Sequence, residues 1–410
     1  MKRTLLINNM AVLVLMSIFS AFISNGNCLY AGEQHVNNNI SASQRKMCEG
    51  NNDFACNLFR TINEQKQDHK SIIVSPISVS YLLGMLNAGA DGETCRQITN
   101  VLGLDGTVVE VNEYFKKKMN EASNVDPKVT VKTANCIYVN SARGIRLIPQ
   151  YKADMLKHYN AEVVALDFRK KSSLNHINDW CKTHTNGMIP SIYSKLEKDD
   201  DMYLLNAVYF KAPWTDSFNP SDTHDKAFTK QDGTIVKHKM MHLEIEAEYG
   251  ENDLCEVLCL PYGNRSYSIY VLLPHKGKTI DDVIQSLTER ILQEQRRNMT
   301  TCEVDILIPR FTTESETDLT SVLSSMGMPL APFPKMAQGR SLGVSQMKQK
   351  AKIKVSEEGT EAAAVTEAEI SIGIRDEPRS VQFHATRPFV YYIVERSTSA
   401  IYFIGTYCGD

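Results

Sequence analysis

The sequence predicts an α+β fold built as a single interwoven domain. Segments with the 3.6-residue apolar period of helices are interspersed with short apolar or alternating runs that are typical of strands. The chain contains no internal repeat and no long linker rich in proline, glycine or serine. Its 410 residues, 42% of them apolar, suffice for one large domain with a sizeable core. These observations favour one domain over two.

The elements of the N-terminal half follow from their apolar periodicity. From Asn51 to Lys66, apolar residues recur at helical spacing and predict a helix. Residues 71–75 predict a short buried strand that stops at Pro76. Residues 77–88 are almost entirely apolar, so the helix that they predict lies inside the core rather than on its surface. Further predicted strands lie at 129–139 and 202–210.

The C-terminal half predicts mainly strands. Residues 256–260 and 266–273 flank a turn at 261–265 and predict a hairpin. The remaining elements are a helix at 279–293, a strand at 302–311, a helix at 318–326, a strand at 350–355, and a hairpin formed by 389–395 and 400–405.

The first thirty residues have the composition of an export signal. Lys2 and Arg3 form a basic start, and 10–23 is almost wholly apolar but short for a membrane span. We therefore predict a signal peptide over residues 1–28, either of the lipoprotein type with a lipid anchor at Cys28, or cleaved after Ala31. The mature chain is then expected outside the cytoplasm, secreted or held at the surface as a lipoprotein. No later stretch predicts a membrane span.

Charge and cysteine spacing exclude several classes of partner. The formal net charge of −3 does not predict a nucleic-acid-binding protein. The ten cysteines form no CxxC pair, and His238 and His242 lack the glutamate of an HExxH motif. We therefore expect buried free thiols, no metal and no cofactor.

The stretch from Val355 to Pro378 has an unusual two-sided pattern. Read as a strand from Thr360, one face carries only threonine, alanine and isoleucine, whereas half of the other face is acidic. The uncharged face suits a core and the acidic face suits water. Alanine and glutamate also favour helices, so an exposed helix remains open on the pattern alone.

A set of short motifs resembles the serpin family of serine protease inhibitors, in the same order and at similar spacing. The residues that carry the resemblance are Ser75–Ser80, Gly89–Thr94, Thr133–Asn135, Thr185–Gly187, Asn206–Lys211 with Trp214 and Phe218, Phe383–Phe389 and Phe403–Gly405. The resemblance runs from about Asn51 to Tyr407. It implies one domain over 45–410 with three β-sheets, about nine helices and an exposed reactive-centre loop over 356–380.

The resemblance also implies an inhibitor that is consumed in its own reaction. A protease attacks the loop, forms a covalent acyl-enzyme, and is trapped when the cut loop inserts as a strand into the large sheet. The loop hinge matches the inhibitory pattern of the family and comprises Glu357, Glu358, Gly359, Thr360, Glu361, Ala362, Ala363 and Ala364. The partner is then a serine protease, or alternatively a cysteine protease, and the chain is expected to be a monomer without catalytic residues.

The resemblance further assigns a region where the sheet must part. Ser75, Ser78 and Asn206 are expected there, and Trp214 near the point where the loop first enters. Many family members carry a histidine where this chain has Gln349, which cannot titrate near neutral pH.

The scissile bond is predicted at two positions. Counting from Glu357 gives Gly373–Ile374, which we rank first, and counting back from Phe383 gives Arg375–Asp376. Arginine before the cut suits a trypsin-like protease, whereas Gly373 suits elastase-like, subtilisin-like or cysteine proteases.

Two other functions compete with inhibition. A non-inhibitory serpin, acting as a carrier, storage protein or chaperone, usually has charge or bulk in the hinge, which this chain lacks. A hydrolase is suggested by the G-x-S-x-G motif around Ser341, but three prolines precede it and no helix is predicted to follow. We therefore expect no enzyme activity.

Overall fold

The computed structural model describes residues 41–66, 70–122, 125–185, 187, 190–360 and 380–410. In this part of the chain there are nine α-helices and fifteen strands. The helices are α1 Ala42–Gln65, α2 Pro76–Gly89, α3 Gly92–Val101, α4 Val108–Ala122, α5 Pro149–Tyr159, α6 Lys171–His184, α7 Ile280–Ser286, α8 Glu289–Asn298 and α9 Leu319–Ser325. The first eight strands are β1 Ile72–Val74, β2 Thr130–Asn140, β3 Glu162–Leu166, β4 Met202–Pro213, β5 His224–Thr229, β6 Ile235–Glu251, β7 Cys255–Tyr262 and β8 Tyr267–Pro274. The others are β9 Thr300–Pro309, β10 Phe311–Asp318, β11 Gln346–Ser356, β12 Gly359–Thr360, β13 Ser380–His384, β14 Phe389–Glu395 and β15 Ala400–Tyr407.

Six strands form what we call the large sheet, in the order β10-β11-β12-β4-β2-β3. Strand β11 runs antiparallel to β10 and parallel to β4, and β2 runs antiparallel to β4. The two-residue strand β12 lies between β11 and β4 and is antiparallel to both. At one end of the large sheet, hinge residues Gly359 and Thr360 therefore fill the space between β11 and β4.

The other nine strands form two sheets that share β6. The C-terminal end of β6 pairs with β7 and continues through β8, β14 and β15 to β1. Residues 235–240 of β6 pair with β5, residues 240–249 pair with β9 along the other edge, and β9 in turn pairs with β13. With the large sheet this gives three sheets and an α+β architecture, as predicted.

Helix α2 lies at the centre of the core, as its almost uniformly apolar sequence predicts. Nearly all of its residues are buried, and it packs against β15, β4 and four neighbouring helices. Pro76 occupies the first turn, where the missing amide hydrogen costs no intrahelical bond. The proline that ends β1 thus also begins the helix that supports the large sheet.

Several predicted helix boundaries are wrong, because side-chain caps set the observed ones. The first helix begins at Ala42 rather than at Asn51, with the Ser41 side chain as its cap. The helix predicted at 279–293 is two helices, because the hydroxyl of Thr288 accepts a bond from the Ile291 amide and starts a second helix. Strand β10 and its antiparallel pairing with β11 were not predicted.

The cysteines and the helices agree with the remaining expectations for the described residues. All nine cysteines in this part of the chain are free, and only Cys95 is not fully buried. Among the helices that the structure describes, none combines the length and apolar character needed to cross a bilayer.

Candidate functional site

The described part of the predicted hinge occupies a gap in the large sheet. Strands β11 and β4 pair directly only between residues 346–350 and 203–207. Beyond that region, Thr360 of β12 lies between Val355 and Ala212. The sheet is therefore parted at the end where the loop begins. Hinge residues Glu361, Ala362, Ala363 and Ala364 and both predicted scissile bonds, Gly373–Ile374 and Arg375–Asp376, lie outside the described residues.

Thr360 enters the interior of the protein. It is 0% exposed, and its hydroxyl lies 2.9 Å from the hydroxyl of Tyr262. A charged side chain placed here would lose its hydration without a compensating partner. Burial of this residue is what the alternating pattern predicts for the uncharged face of the strand.

Trp214 lies against the hinge. Its indole nitrogen donates a hydrogen bond to the carbonyl oxygen of Ser356 at 2.8 Å, and its amide donates to the carbonyl of Glu358 at 3.1 Å. Its ring stacks on Tyr262 with centroids 4.5 Å apart and an interplanar angle of 8°. Trp214 thus contacts both the last residue of β11 and the tyrosine that holds Thr360.

Glu357 anchors the turn between β11 and β12. Its side chain is 5% exposed and accepts hydrogen bonds from Arg310 at 2.5 Å and from Thr223 at 2.7 Å. Burial raises the pKa of Glu357, but the hydrogen bonds from Arg310 and Thr223 outweigh it and hold the pKa below the ordinary value. The first hinge residue is therefore held as a paired carboxylate.

Gly359 has a backbone that other residues rarely adopt. Its φ is +129°, and a Cβ atom would overlap the backbone of Ala212 and lie 2.7 Å from Cα of Pro213. Glycine at this position is needed for the chain to turn and enter the gap.

A buried polar network joins the two strands where they still pair. The Gln349 side chain accepts a bond from the Ser75 amide at 2.8 Å and donates to the Ser75 carbonyl and to Asn206 Oδ1, both at 3.0 Å. Asn206 in turn donates to Asn135 Oδ1 at 2.8 Å, and the hydroxyls of Ser75 and Ser78 are 3.0 Å apart. The network therefore connects the start of α2 with β11, β4 and β2.

The predicted sheet-opening residues thus form two groups. Ser75, Ser78 and Asn206 meet around Gln349, whereas Trp214 follows the far end of β4 and contacts the hinge instead. Sequence reasoning did not find Tyr262, Arg310 or Thr223. Each of these lies far from the hinge in the chain, in or beside a strand of ordinary composition, and no local motif marks it.

The G-x-S-x-G motif lacks the geometry of a hydrolase. Ser341 lies in an irregular segment between α9 and β11, without the preceding strand and following helix that a nucleophile elbow requires. The His384 ring bonds to Asp305 at 2.9 Å.

Comparisons with known proteins agree with this arrangement. The family model described as serpin (serine protease inhibitor) matches residues 49–409. A leukocyte elastase inhibitor of Equus caballus is 30% identical over 380 residues, which cover 88% of this chain and 99% of that protein.

Two solved structures have the same fold. The native structure of tengpin, a thermophilic serpin, has a TM-score of 0.81 and 29% identity, and the match covers 89% of this chain and 94% of tengpin. Human thyroxine-binding globulin complexed with thyroxine also has a TM-score of 0.81, at 28% identity, with 89% and 98% covered. This chain belongs to the serpin family, whose members act on proteases as inhibitors or have lost that activity, and it is not an enzyme.

Proposed function

We propose that this serpin inhibits serine endopeptidases as a suicide substrate. The serine of the protease attacks the carbonyl carbon of Gly373, the bond to Ile374 breaks, and the new amine leaves while an ester joins the two proteins. Before water hydrolyses the ester, the cut loop inserts between β11 and β4 as a new central strand. A cysteine protease would form a thioester in the same way.

The observation that carries the proposal is the position of Thr360. It is the first residue of an uncharged, proline-free face, and it already lies buried in the gap between β11 and β4. A central strand must donate its amides and bury one face, and the sequence of this segment allows both, because it has no proline before Pro378 and one uncharged face. At about 1 kcal/mol net for each new hydrogen bond, plus apolar burial, complete insertion releases on the order of ten kcal/mol.

A protease panel tests the proposal directly. We expect at least one serine protease to give a covalent complex that survives SDS. Cleavage of the loop by every protease, without such a complex, would contradict inhibition and favour the non-inhibitory alternative of a carrier, storage protein or chaperone. The fold shared with thyroxine-binding globulin is compatible with that alternative.

Substitutions in the hinge separate the inhibitor from a simple substrate. Thr360→Arg and Ala362→Glu place charge on the inserting face, so the loop should be cleaved and the protease released. Glu361→Lys is the matched control, because in the alternating sequence pattern position 361 falls on the acidic face and not on the uncharged one, so the stoichiometry of inhibition should stay unchanged. The same stoichiometry of inhibition for all three variants would contradict the insertion mechanism.

The identity of the target depends on the scissile bond. Mass spectrometry of the released C-terminal peptide should give Ile374 as its first residue, and Asp376 would instead select the Arg375–Asp376 alternative. The first result favours an elastase-like, subtilisin-like or cysteine protease, and the second a trypsin-like one.

We also propose that the chain acts outside the cytoplasm. The basic and apolar leader over 1–28 supports this location. The intact mass of the protein from its native host should show cleavage after Ala31, or a lipid-modified Cys28 as the first residue. A full-length cytoplasmic chain would contradict export.

A further inference from the structure

Four side chains of types that can bind metal ions lie together on one face of three neighbouring strands. In the register of β6, β9 and β13, Glu244 lies opposite Asp305, and His242 and His384 flank Leu307 on either side. Side chains two residues apart on a strand share a face, so His242, Glu244, Asp305 and His384 all point to the same side. No single segment of the sequence contains them, which is why the sequence predicts no metal site.

The ligand atoms have the spacing of a small coordination site. His242 Nε2 lies 3.0 Å from Asp305 Oδ1 and 3.7 Å from Glu244 Oε1, and the three ligand atoms lie within 4.8 Å of one another. With metal–ligand bonds of about 2.1 Å, the ligand atoms of a tetrahedral site stand about 3.4 Å apart. An ion can therefore be held by these three atoms with only small side-chain movements.

The charges around the carboxylates leave them available to a cation. In the described part of the chain, the ion pairs of Asp305 and Glu244 are with histidines and not with lysine or arginine. The Asp305 side chain is 25% exposed and the Glu244 side chain 75% exposed. An ion can reach the site from solvent, while Asp305 remains partly shielded from it.

We propose that His242, Glu244 and Asp305 bind a divalent ion of the zinc class, with water completing the coordination. Imidazole nitrogen and carboxylate oxygen are ligands that zinc accepts in proteins. A deprotonated Nε2 of His242 and the carboxylates would donate to the ion, so binding releases any proton held between them. The inference does not depend on protease inhibition.

His384 acts as a positioning residue for this site. Its Nε2 lies 2.9 Å from Asp305 Oδ2, the oxygen that does not face His242. Donation from His384 fixes the rotation of the carboxylate and so directs Oδ1 towards the ion. Because His384 belongs to β13, the ion would tie β13 to β6 through Asp305 of β9.

This link matters for the end of the predicted loop. Strand β13 directly follows residues 361–379, and among the strands that the structure describes it pairs only with β9. Separation of β13 from β9 would break the bond between His384 and Asp305 and weaken the ion site. Bound ion should therefore raise the thermal unfolding midpoint of the protein.

Calorimetric titration of Zn²⁺ into the tag-free full chain, stripped of metal with a chelator, tests the proposal. We expect one ion per chain, loss of binding in His242→Ala and Asp305→Asn, and weakening by about 10–100-fold in His384→Ala. Glu244→Gln changes an exposed side chain, so it should weaken binding without affecting folding. His224→Ala is the matched control, because this histidine is exposed on β5 and outside the cluster.

Cobalt distinguishes this site from the cysteines. Co²⁺ bound to imidazole and carboxylates should give visible absorption without the intense near-ultraviolet bands of thiolate ligation. Unchanged Zn²⁺ affinity in both His242→Ala and Glu244→Gln, thiolate bands with Co²⁺, or no binding at all would overturn the proposal.

Discussion

Replacing Gln349 with leucine should destabilise the large sheet where β11 and β4 still pair. Gln349 is 1% exposed, and its amide makes three hydrogen bonds, two with the backbone of Ser75 and one with Asn206. Leucine has a similar volume, so Gln349→Leu removes the polar partners and leaves the packing nearly intact. The variant therefore isolates the contribution of the network.

The expected magnitude follows from the groups that lose their partner. The amide and carbonyl of Ser75 and Oδ1 of Asn206 each lose a bond in a buried region, and an unpaired buried group costs about 1–3 kcal/mol. Asn206 keeps the bond that its Nδ2 donates to Asn135 Oδ1, so its side chain stays in place and the loss lies in the lower half of the summed range. We expect the free energy of unfolding to fall by about 3–5 kcal/mol.

Equilibrium unfolding in urea, followed by circular dichroism, measures this loss from the first transition. Gln346→Leu is the matched control on the same strand, because Gln346 is only half-buried and makes one long bond of 3.3 Å to the Tyr203 hydroxyl. The control should lose less than about 1 kcal/mol. A loss below about 1 kcal/mol in Gln349→Leu would refute the idea that this network holds the two strands together.

Three further predictions concern the hinge and the thiols. Gly359→Ala should expel β12 from the gap, because the added methyl group would overlap backbone atoms. A change in the fluorescence of Trp214, measured in a variant that lacks the other tryptophan, would report the departure of β12. The lowered pKa of Glu357 means that its pairing with Arg310 stabilises the fold above about pH 4.5, and that this stabilisation is lost as the pH falls through the pKa of the folded state. In Glu357→Gln, the free energy of unfolding should therefore depend less on pH in that acid range. An unchanged dependence on pH would argue against the pairing. Burial raises the pKa of three thiols, those of Cys181, Cys255 and Cys259, to about 12. A thiol reagent at pH 8 should therefore label the partly exposed Cys95 well before these three, and equal labelling rates would contradict their burial.

Much of the fold could be predicted from local pattern. Most residues of helix α2 are apolar and they lie on all sides of the helix, which only a core helix tolerates. The strand β11 alternates in burial along its length as its sequence alternates in charge. The pattern likewise predicted that the side chain of Thr360 would be buried.

Other features depend on contacts between distant parts of the chain. The carboxylate of Asp53, which lies inside α1, accepts a bond from the amide of Glu289 at 2.9 Å and so caps α8, 236 residues further along the chain. Tyr262 bonds to Thr360, 98 positions away in the sequence, although Tyr262 belongs to the stretch that the sequence predicts to be a turn. No periodicity carries information about partners at such separations.

Gln349 and Thr360 lie at opposite ends of the gap between β11 and β4. Their positions predict whether a substitution at or beside each end speeds or slows insertion of the loop. In the proposed mechanism, insertion continues from Thr360 towards the region where Gln349 still bonds to Asn206 across β11 and β4. That bond must break before the strand can be completed, whereas the contact of Thr360 with Tyr262 is already made. Gln349→Leu should therefore hasten insertion although it destabilises the native fold, and Gly359→Ala should delay insertion because entry has to begin again from outside the sheet. If both variants changed the stoichiometry of inhibition in the same direction, the gap between β11 and β4 would not be the path that the loop takes.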